Sequence, residues 1–373
     1  MLTVCTVNIY MLVVKTVHMC LYTFNSLITN LNVFIEKNIY VFMDTRRIQV
    51  TQGESYMITL PKDWAESLGL KKNDSVNVEV QINGDLLVSP VKKVEAPKDI
   101  KRIDATNVKK EDFFYRQLVG AYISGHNMIE AYSEHPLSNT VIDVVNSFTQ
   151  TSIGLEVVEE DAYRILVKDL IDHAEIGPRK SLERMSLLVR KLISDVLDSA
   201  AGNSGLSIED MEKRDMEVDR VHWLISRQNN IYKKNPWLCK KIGSDLCELT
   251  NHIAISRILE RMGDHTVLLS KNLVMLMNEK KAEGVDKGIK EIGNEIMKLY
   301  NESINGWLKT DMNTAEWCIE EGERLVKKIE KTFKKVEVNI NTASSTSLIA
   351  GSAKRITEYC IDISELTINA AMY

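Results

Sequence analysis

The sequence predicts a multidomain chain: a small β-rich module, then a mixed α/β connector, then an all-α bundle of two three-helix repeats. Three observations carry this. Alternating apolar and polar residues with turn-forming glycines fill residues 43–94, the pattern from Pro178 onward is long and 3.6-periodic, and one helical motif recurs at an offset of 98 residues. The length, 373 residues, suits two or three domains at ~150 residues each. With 44% apolar and 27% charged residues the composition excludes a largely disordered chain. A formal charge of −5 provides no global positive field, so any contact with nucleic acid has to come from a local patch. Only 6 prolines and 6% aromatic residues favour helix over a turn-rich β-sandwich. Cysteines 5, 20, 239, 247, 318 and 360 form no C-x-x-C pair, so neither a zinc knuckle nor a dithiol site is indicated, and a reducing cytoplasm is the expected setting.

Residues 1–34 carry a single formal charge, Lys15. Asn8, Thr16, His18, Thr23, Asn25 and Asn32 interrupt any apolar span of ~20 residues, and a charged n-region with a clean cleavage site is missing. Met43 opens a segment that reads as the start of a complete small domain. Residues 1–42 are therefore read first as a non-native or disordered extension from a misplaced start, with a weak anchor and a genuine extension as the alternatives.

From Arg47 apolar and polar residues alternate across Ile48–Val50 and Tyr56–Leu60, with Gly53 between them. Pro61 stops the strand, and residues 62–70 give a short amphipathic helix with Trp64, Leu68 and Leu70 inward and Gly69 as its left-handed C-cap. Two further strands meet at Asn83-Gly84, a strong hairpin signal. So small a core predicts dimerisation. Arg46-Arg47-Ile48, Gly53-Glu54-Ser55-Tyr56, Ile58-Thr59-Leu60-Pro61-Lys62-Asp63-Trp64 and Leu68-Gly69-Leu70 with Asn73-Asp74-Ser75-Val76 resemble the SpoVT/AbrB family of swapped-hairpin DNA-binding domains. Asn73 departs from the family's usual glycine, mildly, because Asn also tolerates the left-handed conformation. The resemblance implies a homodimer of interlocked hairpins with DNA as partner, bound through Arg46, Arg47 and Lys62. Residues 44–92 hold six basic and seven acidic residues, so the module is not basic on average; a dimer would nevertheless double Arg46-Arg47 into a four-arginine patch. Pure dimerisation is the alternative reading.

Residues 95–176 are read as the connector. Residues 95–112 are charged, carry Pro97 and read as a linker or exposed edge; residues 111–134 have helical spacing; a strand pair is expected around Glu159-Glu160-Asp161. His126, His135 and His173 are scattered and receive no function.

In the last two hundred residues the periodicity predicts helices at roughly 179–201, 207–234, 238–279, 285–308, 311–336 and 341–372, as repeats 177–282 and 283–373. Arg257-Ile258-Leu259-Glu260 with Asp264 recurs as Arg355-Ile356-Thr357-Glu358 with Asp362. On a helix, i and i+4 share a face, so Asp215/Asp219, Glu260/Asp264 and Glu358/Asp362 each present two carboxylates together, and two such helices side by side would offer four to a metal that prefers oxygen ligands. His222 lies on the same face as Asp219 and is a secondary candidate ligand, as are Glu358 and Asp362. Alternatively, these acids lie on solvated faces and pair with Arg214, Arg257, Arg261 or Arg355. His265, about 100° round from Asp264, reads as a polar packing residue.

Glu212 to Arg220, Ile258 to His265 and Ala353 to Glu365 resemble the helical motifs of PhoU, the phosphate-transport regulator built of two three-helix bundles. The resemblance implies metal clusters at the acidic pairs (Fe, Zn, Mn or Mg) and a phosphate ABC transporter ATPase or sensor kinase as partner. In the second repeat the best-aligned positions to Asp215 and Asp219 are Glu323 and Lys327; a lysine there repels a cation, which disfavours a second cluster. The domain order is similar to that of archaeal PhoU-like regulators, and an archaeal source is expected. G-x-x-x-x-G-K-[ST], G-x-G-x-x-G and G-x-S-x-G are absent, and no E-x-x-H of a di-metal enzyme occurs in the helical region, so no enzyme is expected. The reading as a whole is a cytoplasmic, dimeric, DNA-binding transcriptional regulator of phosphate uptake without stable membrane insertion; a PhoU-type modulator that uses its N-terminal module only to dimerise is the alternative.

Overall fold

The computed structural model describes residues 45–51, 55–80, 84–91, 99–200, 207–278, 285–334, 336 and 342–372. The expectations for residues 1–42, Gly53-Glu54, Asn83 and Glu95–Lys98 lie outside these residues. The chain divides into two units, up to Ala96 and from Pro97 onward.

In the first unit β1 (Gln49–Val50) pairs antiparallel with β2 (Tyr56–Met57), α1 (Lys62–Ser67) follows, and β3 (Val76–Val80) pairs antiparallel with β4 (Leu86–Pro90). Gly69, Asn73 and Gly84 take positive φ (62°, 73° and 87°), the conformations expected of them at the helix end and the two turns. The two hairpins form separate two-stranded sheets. None of the described residues 45–91 is buried, and Trp64, Leu68 and Leu70 are only half-covered. Tyr56 is 80% and Val80 72% exposed. Isolated two-stranded ribbons with this much uncovered apolar surface are marginal in water.

The second unit begins with an α/β layer: β5 (Ile100–Asp104), α2 (Glu111–Ile123), β6 (Met128–Tyr132), α3 (Asn139–Thr151), β7 (Leu155–Glu160) and β8 (Arg164–Asp169). The sheet order is β5-β6-β8-β7, with β5 parallel to β6 and the other neighbours antiparallel. Ile103, Ile129, Ile165 and Val167 pack against Phe114, Leu118, Val145 and Phe148 of the two helices. Residues 100–104, read as a linker or an exposed edge, are an edge strand, and Ile103 enters that core. Two expectations are corrected here. The helix read across 111–134 stops at Ile123, since Gly125 takes φ 86° and the chain re-enters the sheet as β6. Residues 139–151, given no helix above, form α3, capped where Ser138 Oγ accepts from Val141 N at 3.3 Å. The expected β7–β8 pair is present, its turn closed by Asp161 Oδ1 accepting from Tyr163 N and Arg164 N.

The remainder is a helical bundle: α4 (Pro178–Ala200), α5 (Ile208–Lys234), α6 (Pro236–Lys241), α7 (Leu246–Asn278), α8 (Val285–Lys309), α9 (Met312–Lys334) and α10 (Ala343–Ala371). The helix expected over 238–279 is broken: Gly243 at φ 72° ends α6, and Asp245 Oδ1 accepts from Glu248 N at 2.8 Å to start α7 afresh. α4, α5 and α7 form one three-helix half, α8, α9 and α10 the other, and α7 against α10 and α4 against α8 join them around one continuous core. No helix among the described residues is long and apolar enough to cross a membrane.

α5 also binds the bundle to the α/β layer. Arg220, Trp223, Arg227, Asn230 and Lys234 recur at spacings of three and four, one stripe of the helix. Trp223 packs against the α/β core. Arg220 Nε donates to Thr151 O at the end of α3 (2.6 Å), while Asn230 and Lys234 donate to Ile123 O and Ser124 O at the end of α2 (both 2.8 Å). Arg227, fully buried, donates to Tyr122 O (2.6 Å) and His126 O (2.8 Å) and holds Asp169 Oδ2 through Nε (2.8 Å) and Nη2 (2.5 Å). Burial alone would raise the Asp169 carboxyl; the hydrogen bond from His173 and the charge of Arg227 outweigh it and hold it below the usual range. Arg227→Ala leaves that carboxylate buried and unpaired, and is expected to cost roughly 3–5 kcal/mol, read as a lower urea midpoint for the helical body.

Candidate carboxylate site on the first helical repeat

Acidic residues at i and i+4 of two adjacent helices meet where α5 runs beside α7. Asp215 and Asp219 come from α5, Glu260 and Asp264 from α7. What lets the helices close is Gly263: a Cβ there would sit 2.5 Å from Asp215 Oδ1 and 3.7 Å from Val218 Cγ1. Asp215, Asp219 and Glu260 are half-buried and Asp264 is exposed. Asp215 Oδ1 and Glu260 Oε2 are cut off from solvent and accept no hydrogen bond. Among the described residues no ion pair engages Asp215, Asp219 or Asp264; Arg257 Nη1 lies 3.5 Å from Glu260 Oε1, and Lys271 binds Glu212 at 2.6 Å.

Crowding of like charges in a half-buried groove has a predictable electrostatic result. Burial, then the charges of Asp219, Asp264 and Glu260, push Asp215 up to about 7. Burial, then Glu260 and Asp264, push Asp219 up to about 6, against the pull of Arg257. Glu260 rises for the same reasons. All four predicted carboxylates of this repeat are thus brought into one electrostatic group.

The secondary candidates are not. His222 is buried with Nδ1 3.1 Å from Ser256 Oγ, and burial together with Arg257 lowers it to about 4. Glu358 is ion-paired with Arg355 at 2.9 Å, as the solvated-face alternative expects. Asp362 is exposed, and the charges bearing most on it are Glu365, Glu358, Arg355 and Arg261, none of them on α9. Arg214, offered above as a partner for the acids, instead pairs with Asp195 on α4. His265 packs against Tyr359, ring centroids 5.9 Å apart. In the first unit Arg46 and Arg47 are exposed just ahead of β1, and Lys62, exposed, lies 3.6 Å from Glu66.

An all-oxygen set of carboxylates suits Mg, Mn or Fe in composition better than Zn, which favours nitrogen and sulfur. Among the described residues, however, no three His, Cys, Asp or Glu groups stand close enough to hold one ion. The group is a shared negative groove, and ligation would take rotation of its side chains. The residue that spacing arguments passed over is Gly263. A lone glycine inside a strong helical pattern costs about 1 kcal/mol against alanine and calls for a packing reason; here it is the approach of Asp215.

These acid-bearing helices lie inside a recognisable domain. Residues 182–273 match the PhoU domain. Residues 49–96, which hold β1 to β4, match the antidote-toxin recognition domain of MazE, bacterial antitoxin, so a MazE/AbrB-type segment precedes a PhoU domain in one chain. Among solved structures the chain is similar to PhoU from Pseudomonas aeruginosa (17% identity, 51% of this chain and 93% of that one, TM-score 0.38) and to the phosphate transport system regulatory protein PhoU from Streptococcus pneumoniae (18% identity, 51% and 91%, TM-score 0.37). No curated protein matches the chain. A PhoU domain implies a part in the regulation of phosphate homeostasis.

The raised carboxyls make a pH prediction. An acid whose folded pKa lies above its unfolded value removes stability as pH rises from the unfolded value, 3.8, to the folded one, here about 6 for Asp219 and about 7 for Asp215. Asp215→Asn with Asp219→Asn, in metal-free buffer, is expected to raise Tm near pH 8 by roughly 2–4 °C, the effect of ~1 kcal/mol. Near pH 4 the gain disappears. Thermal melts across that range check it.

Proposed function

We propose that this chain is a DNA-binding transcriptional regulator of phosphate uptake, in which the PhoU domain senses phosphate status through a cation held by Asp215, Asp219, Glu260 and Asp264, or through contact with transport machinery. The observation that carries the reading is the MazE/AbrB-type segment and the PhoU domain in one polypeptide. Arg46, Arg47 and Lys62 are the residues assigned to DNA, exposed at the start of the β module. A homodimer follows from the uncovered apolar surface of that module. Val78 and Val88, and Val80 and Leu86, are cross-strand pairs on one face of the β3–β4 ribbon, and three of these four side chains are exposed. A second copy covers them and doubles the arginines.

A specific observation favours the second reading, a modulator of a phosphate ABC transporter ATPase or sensor kinase that uses the module only to dimerise: six basic residues against seven acidic across 44–92. DNA binding by the full chain separates the two. Arg46→Ala with Arg47→Ala is expected to weaken binding and to lower the slope of log K against log salt by about 1 per lost phosphate contact. Unchanged affinity and slope would remove these arginines from the interface, and no salt-stable DNA binding by the unaltered chain would leave the modulator. Independently, Val78→Asp with Val80→Asp is expected to shift the chain from dimer to monomer in sedimentation equilibrium.

A further inference from the structure

At one end of the bundle the first turns of α4 and α7 meet the last turns of α8 and α10 around a cavity of about 280 Å3. The carboxylate group between α5 and α7 has no part in it: Glu248 lies about 18 Å along α7 from Glu260 at the usual rise per residue. Asp245 and Glu248 stand on the cavity wall against one guanidinium, Arg179. That guanidinium is engaged: Nη2 donates to Leu308 O at 2.6 Å, and Nε and Nη1 lie 3.8 Å from Glu183 and 3.9 Å from Glu248. The same wall holds His252 and Trp307, both buried, their rings edge to face with centroids 6.0 Å apart.

Burial, against the pull of Glu248, lowers the His252 pKa, so the ring is neutral. Its Nε2 lies 3.5 Å from Glu248 Oε1, a group that only accepts, which puts the ring proton on Nε2 and leaves Nδ1 an acceptor. That acceptor has no donor. Neither has Asn251 Oδ1, on the same wall, whose amide nitrogen donates to Leu366 O at 3.2 Å. Thr310 adds a further sign. It ends α8 at φ 52°, its amide donating to Trp307 O at 3.1 Å, a position where glycine is usual and a β-branched residue is strained. Threonine there keeps a side chain on the cavity wall.

We propose that this cavity binds a small organic cation, a primary amine or diamine, with its ammonium at Glu248 and Asp245 and its hydrocarbon part against Trp307. An ammonium supplies the donors that the carboxylates, His252 and Asn251 lack, and an aromatic neighbour favours a cation. At about 280 Å3 the space falls just below the ~300–1,000 Å3 of pockets for drug-sized ligands and suits a short chain. An anion is the rival occupant, but Arg179 already has its partners and Asp245 Oδ1 accepts from Glu248 N at the start of α7. Since α4 and α7 belong to the first half and α8 and α10 to the second, the bound cation ties the halves together at this end.

The test is calorimetric titration of the full chain with putrescine, beside inorganic phosphate and 1,4-butanediol, which has the same carbon chain without the charges. Putrescine is expected to bind, and phosphate and the diol to give no binding heat. Glu248→Gln is expected to weaken putrescine by roughly 10–100-fold, the loss of a hydrogen bond to a charged group, with an unchanged helical CD spectrum. Thr310→Gly is expected to weaken it as well in a chain whose Tm does not fall, because glycine adopts that backbone conformation freely. Full putrescine affinity in either variant would overturn the proposal, as would no binding by the unaltered chain. Phosphate or butanediol binding as well as putrescine would also defeat it. So would loss of putrescine binding in Asp215→Asn with Asp219→Asn, which would put the diamine in the groove between α5 and α7 instead.

Discussion

The buried pair of Arg227 and Asp169 holds the second unit together. It is the point at which the helical bundle and the α/β layer share a polar group neither can satisfy alone. The guanidinium spans three structural ends at once: the carbonyl of Tyr122 at the close of α2, the carbonyl of His126 at the entry to β6, and the carboxylate that ends β8. Each of these is exposed backbone or buried charge that would cost free energy without a donor. The neighbouring donors of α5, Arg220, Asn230 and Lys234, treat the helix ends of α3 and α2 likewise, and cations at helix C-termini also gain from the helix dipole. Asp169 in turn accepts from His173 and from Ile171 N, so the segment leading into α4 is fixed by the same carboxylate.

α5 is consequently a helix with three stripes. Val218, Val221 and Ile225 face the bundle core, Arg220 through Lys234 face the α/β layer, and Asp215 and Asp219 face α7. Any change that moves the acidic stripe acts on a helix whose other end is clamped by hydrogen bonds to the α/β layer. The carboxylate group is itself under tension: Asp215, Asp219 and Glu260, two of them with orphaned oxygens, are raised by burial and by the charge of neighbouring acids. Protonation relieves this, so the group responds to pH.

The two halves share a plan of three long helices but not their polar chemistry. At the matching crossing one half brings a carboxylate onto glycine and the other an isoleucine onto glycine. Both solutions allow the same close approach of helices, which is why the bundle keeps its pseudo-symmetry while its charge does not. The first unit is constructed on another principle. Its two hairpins do not join into one sheet and none of its described residues is buried.

Much of this could be read from residues alone. Alternation with Gly69, Asn73 and Gly84 placed the β module, and apolar spacing placed the long helices to within a residue or two except for the one expected from 238, which starts at Leu246, because both signals are local: backbone conformation at a turn and burial of one helix stripe depend on neighbours in sequence. The i, i+4 acids were equally legible, since helix geometry puts them on one face whatever else the chain does. What sequence could not supply is what a polar stripe faces. Arg220, Arg227, Asn230 and Lys234 have the composition of a solvated face, and only packing against the ends of α2 and α3 turns them into a joint around the buried Arg227. In the connector, Gly125 and the demand of the sheet for β6 overrode a helical pattern that ran on through residue 134. Tertiary structure likewise decided that Asp215 meets Gly263 and Ile361 meets Gly322, because a crossing point is set by how two helices pack, and the spacing along either helix contains no term for its partner.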